Sequence, residues 1–202
     1  MKKFLIAVLL TVFTLPVLAE NTILILGDSL SAGYGIDPKQ GWVQLLQQRL
    51  ADQKSTYTVV NASISGVTTS NGLQHLPGAL NKYHPKITII ELGANDGLRG
   101  LPPSLIKKNL LELISMAENA NSKVLVLGVR LPPNYGPAYL EQFHQIFLDL
   151  AAQSDLTTIV EFLNGVDSDR TLMQNDGLHP GVVAQPKILE NVWEPLKKLM
   201  AD

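Results

Sequence analysis

The chain has 202 residues, 46% of them hydrophobic and 17% charged, with a formal net charge of −2 and no cysteine. That composition suits one globular domain with a sizeable core and excludes a disordered chain. Basic residues never run longer than two, which argues against a nucleic-acid surface, and the lack of cysteine excludes disulfides, thiolate ligands and a lipid-modified N-terminal cysteine.

The first residues differ from the rest. Lys2 and Lys3 precede an uncharged run from Phe4 to Leu15, followed by Pro16 and the small-residue pattern "VLA" before Glu20. This is the layout of a secretory signal, with cleavage expected after Ala19, so residues 1–19 read as a leader and 20–202 as a single mature domain. The apolar run is short for a bilayer span, and no second long apolar segment follows. The mature chain is therefore expected to have no stable membrane insertion. The signal has bacterial character, which makes the periplasm the expected destination.

Five apolar segments then read as buried strands: "TILIL" (22–26), "YTVVNA" (57–62), "KITIIEL" (86–92), "KVLVLGV" (123–129) and "LTTIVEF" (156–162). Helical patterns fall between and after them at 42–52, 67–80, 103–120, 138–152 and 182–200, the last with interruptions expected at Pro186 and Pro195. Strands alternating with helices imply a parallel sheet covered on both faces, a three-layer α/β/α sandwich. Five strands suit the flavodoxin-like order 2-1-3-4-5. In that order strand 1 lies between strands 2 and 3. The loops "GDSLSAG", "NASISG" and "GANDGLRG" then meet at the carboxyl edge of the sheet, where ligands of open α/β folds bind.

Those loops, and a segment before the last helix, hold residue types that can carry chemistry. Ser29 follows the first strand at the start of a helical turn, where its hydroxyl can point outward and its N–H lies at a positive helix end. The plainer reading makes Ser29 or Ser31 an N-cap. In "NDGLHP", Asp176 precedes His179 by three residues, a spacing at which a tight turn lets the carboxylate reach imidazole Nδ1 and leaves Nε2 free. The alternative is an aspartate that caps the next helix beside an incidental histidine. Asn95 in "GANDG" offers an amide donor and Gly66 in "SISG" a bare backbone N–H, and each is equally an ordinary turn residue.

Taken together and in order, "GDSLS", "SISG", "GANDG" and "DGLHP" resemble the SGNH hydrolase family, also called the GDSL esterases, over essentially the whole mature chain. The segments "LGANDGLRG" and "RLPPNYG" are similar to the bacterial periplasmic branch that acts on acyl-CoA thioesters, lysophospholipids and aryl esters. The resemblance implies Ser29 as nucleophile, His179 as general base and Asp176 as its orienting partner. It implies an oxyanion hole made of the Ser29 N–H, the Gly66 N–H and the Asn95 amide, with no metal or organic cofactor. Ala94 stands where the branch usually has glycine, adding a methyl but removing no donor. An acyl groove is expected along Leu98, Leu101, Leu131, Tyr135 and Leu178, with Arg99 either a phosphate contact or a solvated charge. The expected partner is a small-molecule acyl ester or thioester, and the expected state is a monomer. A carbohydrate acetylesterase and a non-catalytic flavodoxin-like binding module are the alternatives.

Other signals carry less. "GDSLS" lacks the last glycine of the G-x-S-x-G elbow, and no nucleotide phosphate loop is present. "EQFH" (141–144) reads as a helix surface, Trp42 and Trp193 as packing aromatics, and Asn61 as part of a buried strand end.

Overall fold

The computed structural model describes residues 21–201, so the leader segment and its cleavage site lie outside the described residues. Five strands form one sheet: β1 (Asn21–Gly27), β2 (Tyr57–Asn61), β3 (Ile87–Glu91), β4 (Lys123–Leu127) and β5 (Thr157–Ile159). They pair in the order β2-β1-β3-β4-β5, every pair parallel, as the alternation of segments implied. β3 is buried along its whole length, because a central parallel strand has helices on both sides. It nonetheless ends on a glutamate, and Gly27 of β1 stands opposite Glu91 in the register.

The helices are α1 (Ser29–Ala32), α2 (Trp42–Asp52), α3 (Thr69–Tyr83), α4 (Ala94–Leu98), α5 (Pro103–Asn119), α6 (Pro137–Ala151) and α7 (Gln185–Ala201). α3, α5 and α6 pack in succession on one face, while α2 and α7 pack together on the other. Each long helix turns one apolar stripe inward. In α2 that stripe is Trp42, Val43, Leu46 and Leu50; in α5 it includes Ile106, Leu110, Leu113 and Ala117. Local chemistry fixes the helix starts. Thr68 and Asn71 form a reciprocal capping box ahead of α3, and the Gln185 side chain accepts the Trp42 N–H at 2.9 Å, tying α2 to α7.

Three sequence expectations are corrected. Neither Pro186 nor Pro195 interrupts α7. Pro186 sits in the first turn, where a missing N–H costs nothing, and the buried stripe Ile188, Leu189, Val192 and Leu196 carries the helix through Pro195. The fifth strand is three residues long rather than the seven expected. Beyond Ile159 the chain leaves the ladder and bonds back through Gly128, whose N–H donates to Ile159 and whose carbonyl accepts from Phe162. Asn61 is exposed rather than buried.

Gly128 marks a close approach of two elements. A Cβ there would lie 2.4 Å from the Val160 carbonyl oxygen and 2.6 Å from the Phe147 ring. Gly128→Ala is expected to destabilise the fold by about 1–3 kcal/mol, read as a lower urea midpoint. An unchanged midpoint would show that this packing is not tight.

Candidate active site

β1 is the middle of three neighbouring strands, so the chain leaving its carboxyl end emerges between the loops after β2 and β3. Asp28 is the N-cap of α1: its Oδ1 accepts the Leu30 N–H at 3.0 Å, which bends the strand directly into a helical turn. Ser29 is therefore the first helical residue, half-buried, with an N–H that no helical carbonyl can accept. The plainer alternative, Ser29 or Ser31 as the cap, does not hold, since Asp28 occupies that position.

The loop after β5 brings an imidazole to this serine. His179 Nε2 lies 2.9 Å from Ser29 Oγ, and His179 Nδ1 lies 2.7 Å from Asp176 Oδ2. The other carboxylate oxygen of Asp176 accepts the Leu178 N–H at 2.9 Å and the His179 N–H at 3.0 Å. Partial burial works against the charge of Asp176. The bonds from the His179 ring, the His179 N–H and the Leu178 N–H outweigh it and hold the carboxyl down at about 2. Asp176 is thus an anion throughout the neutral range and fixes Nδ1 as the protonated nitrogen. An imidazole held this way can take a proton from a hydroxyl on Nε2.

Two further residues secure this arrangement. The Tyr34 ring lies against His179, with centroids 4.6 Å apart and planes tilted by 40°. Gln174 Nε2 donates to the Tyr34 carbonyl at 2.7 Å and to the Pro180 carbonyl at 3.0 Å, clipping the loop after α1 onto the histidine loop. Sequence reasoning missed both, because a lone glutamine and a lone tyrosine give no spacing signal.

Of the donors expected around the serine, Asn95 lines the same cleft as Ser29 and His179. Asn95 Nδ2 donates to Asp28 Oδ2 at 2.9 Å, and among the described residues its second amide proton has no acceptor. Gly66 adopts φ +82°, a conformation that favours glycine, although no crowding would oppose a side chain there. Among the described residues its N–H has no hydrogen-bond acceptor. The Arg99 guanidinium donates to the Gly66 carbonyl at 3.0 Å, so it braces this loop instead of standing free. Beneath, Asp96 accepts the Thr69 N–H at 2.8 Å and the Thr69 hydroxyl at 2.6 Å, and Asn109 donates to that hydroxyl at 2.9 Å. This buried network locks α4, which carries Asn95, to the start of α3, which follows Gly66.

A cleft of about 250 Å³ opens over Ser29 and His179, with Leu98, Leu131 and Leu178 on its walls together with Val129, Pro132 and Leu163. Ala94 is also on the wall. Leu101 and Tyr135, expected in the same groove, are not. Leu101 packs on the core, and Tyr135 stands behind the wall, its hydroxyl donating to the Leu98 carbonyl at 2.8 Å.

Two acids lie buried under the serine. Burial pushes the Asp28 carboxyl up to about 6, against the opposing pull of the Leu30 N–H, His179 and Asn95. Glu91 is raised well above the carboxylate range, by burial first and by the neighbouring Asp28 second.

The sequence model of the GDSL-like lipase/acylhydrolase family matches residues 25–184. The chain is 50% identical to "Esterase TesA" of Pseudomonas aeruginosa over 182 residues, 90% of each chain. It is 40% identical to "Thioesterase 1/protease 1/lysophospholipase L1" of Escherichia coli over 191 residues, 95% of this chain and 90% of the other. The crystal structure of the psychrotrophic esterase EstA from a Pseudoalteromonas species, inhibited by monoethylphosphonate, superposes with a TM-score of 0.79 at 41% identity, covering 90% of this chain and 100% of that one.

The raised value of Glu91 fixes the sign of a stability experiment. Unfolded, Glu91 loses its proton near its ordinary 4.5; folded, it keeps the proton to higher pH. Wild type is then expected to lose roughly 1.4 kcal/mol per pH unit above 4.5 relative to Glu91→Gln, which cannot ionise, until the raised folded value is reached. Urea unfolding of both proteins from pH 4 to 8 checks this, and a pH-independent difference would contradict it.

Proposed function

Since this chain belongs to the GDSL-like lipase/acylhydrolase family and is an ester-hydrolysing enzyme, we propose that it cleaves acyl esters and thioesters through a serine nucleophile, Ser29. The observation that carries the reading is the pair of short contacts on one imidazole, 2.7 Å to Asp176 and 2.9 Å to Ser29. His179 takes the Ser29 proton on Nε2 as Oγ attacks the carbonyl carbon. Asp176 keeps the ring in the tautomer that has Nε2 bare and stabilises the imidazolium that forms.

The carbonyl oxygen gains negative charge in this step. The Ser29 N–H, the Gly66 N–H and the free amide proton of Asn95 are the donors that receive it. The ester C–O or thioester C–S bond then breaks, with the Nε2 proton passing to a leaving alcohol or assisting a leaving thiolate. Water, deprotonated by the same histidine, attacks the acyl-serine; His179 then passes that proton to Ser29 Oγ as the acyl–oxygen bond breaks, and the acid departs with the other. Every proton moves through His179, so this chain's residues complete the cycle.

The apolar walls formed by Leu98, Leu131 and Leu178 favour an acyl chain over a sugar in the cleft. Thioesters and lysophospholipids fall within the proposed range because the similar Escherichia coli protein is named for both. The leader reading of residues 1–19 sends the mature enzyme to the periplasm, acting as a monomer on small-molecule acyl substrates.

Hydrolysis of a p-nitrophenyl acyl ester tests the proposal. Ser29→Ala is expected to lower turnover by at least about 10³-fold, and Asp176→Asn by about 10²–10⁴-fold with folding intact. Full turnover by Ser29→Ala would overturn the assignment. Turnover rising with acyl length from acetyl to octanoyl is expected from the apolar cleft, and a preference for acetylated sugars would contradict the substrate class.

A further inference from the structure

We propose that Glu91 is a positioning residue for ester hydrolysis, acting through Asp28 to hold the Asn95 amide at the oxyanion; the proposal rests on the oxyanion role given to Asn95 above. Glu91 is the last residue of β3 and is 1% exposed. Its Oε2 accepts the Asp28 N–H at 3.2 Å and the Ser31 hydroxyl at 2.8 Å. These are the residues on either side of Ser29 and Leu30, so one carboxyl group pins both ends of the turn that carries the serine.

Asp28 passes this constraint on. One of its oxygens caps α1 through the Leu30 N–H and the other accepts Asn95 Nδ2 at 2.9 Å. Glu91, Asp28 and Asn95 thus form a continuous chain from the sheet to the donor. The first turn of α1 hangs from its middle.

An apolar side chain at the end of a buried strand would pack without desolvating an acid. Among the described residues no lysine or arginine forms an ion pair with Glu91 or Asp28. Two buried acids without a cation are tolerable only if they share a proton. Glu91 is held further from ionisation than Asp28, and the bonds from the Leu30 N–H and Asn95, with the charge His179 can carry, favour the charged form of Asp28. Asp28 is then free to accept from both Leu30 and Asn95.

Gly27 adds an independent sign of the fit. A Cβ there would lie 2.8 Å from Glu91 Oε2 and 2.8 Å from Ser31 Cβ, so the strand opposite Glu91 must be bare for the carboxyl to reach Asp28 and Ser31.

The test compares Glu91→Met, which keeps volume but removes the acceptor, with Glu91→Gln, which keeps shape and hydrogen bonding, each with Asn95 intact and in an Asn95→Ala background. Folding is checked by thermal melting, and kcat and KM are read on a p-nitrophenyl ester. Asn95→Ala alone is expected to lower kcat by about 10²–10³-fold. Glu91→Met is expected to lower kcat by about 10- to 10²-fold with KM nearly unchanged, and Glu91→Gln to restore most of that loss. In the Asn95→Ala background Glu91→Met is expected to cost less than about threefold more, because its effect runs through the missing amide.

Wild-type kcat in Glu91→Met, or an equal loss with and without Asn95, overturns the proposal while leaving the serine mechanism standing. Wild-type turnover in Asn95→Ala would overturn the oxyanion role, and this inference with it. If Glu91→Met does not fold, Glu91→Gln decides: kcat near wild type supports the proposal, and a loss as large as that of Asn95→Ala overturns it.

Discussion

The hydrogen bond between His179 and Ser29 joins groups separated by 150 positions in the chain, and it exists because of where β1 lies in the sheet. A parallel strand flanked by two others delivers its carboxyl end into the middle of the edge, not its margin. The turns after β2 and β3, which carry Gly66 and Asn95, then lie on either side of the chain that leaves β1. The histidine loop arrives from the far side, after β5, and is held by the Gln174 clip and the Tyr34 ring. If strand order changed, each residue would survive with its local geometry and the site would be lost.

The layers of the fold were readable because parallel strands and their helices have different periods. The run "ITII" is apolar without interruption, as a strand buried on both faces must be, whereas α5 repeats its apolar residues at helical spacing. What the sequence hid were outcomes settled by packing. Pro195 removes one backbone bond from α7, yet the helix continues because its buried stripe outweighs that loss. β5 stops early because Gly128 draws the following chain inward, a contact between segments that no local pattern announces.

Placement of the chemistry followed the same division. Asp176 and His179 are three residues apart on one turn, so their contact could be anticipated from spacing. Ser29, Gly66 and Asn95 were legible as small and polar residues at strand ends, and as a set in family order. The substrate groove was less so: Leu101 and Tyr135 belong to the same segments as the wall residues, but their side chains turn into the core or behind the wall, a choice made by rotamer and packing. Glu91 did leave a signal in the sequence. An acid at the end of a fully apolar strand is costly to bury, and such a residue is placed by what it bonds. Asp28 was equally visible in "GDSLS", but its function as cap and as bridge to Asn95 requires three dimensions.

On the proposed mechanism, one carbonyl group attacked by Ser29 is received by donors from three separate turns. A crystal structure of the mature enzyme after reaction with an alkyl phosphonate tests this most directly, since the phosphonyl oxygen takes the place of the oxyanion. Phosphorus is expected on Ser29 Oγ, with its oxygen within hydrogen-bond reach of the Ser29 N–H, the Gly66 N–H and Asn95 Nδ2. Phosphorus bonded at another residue, or an oxygen turned to solvent away from all three donors, would contradict it.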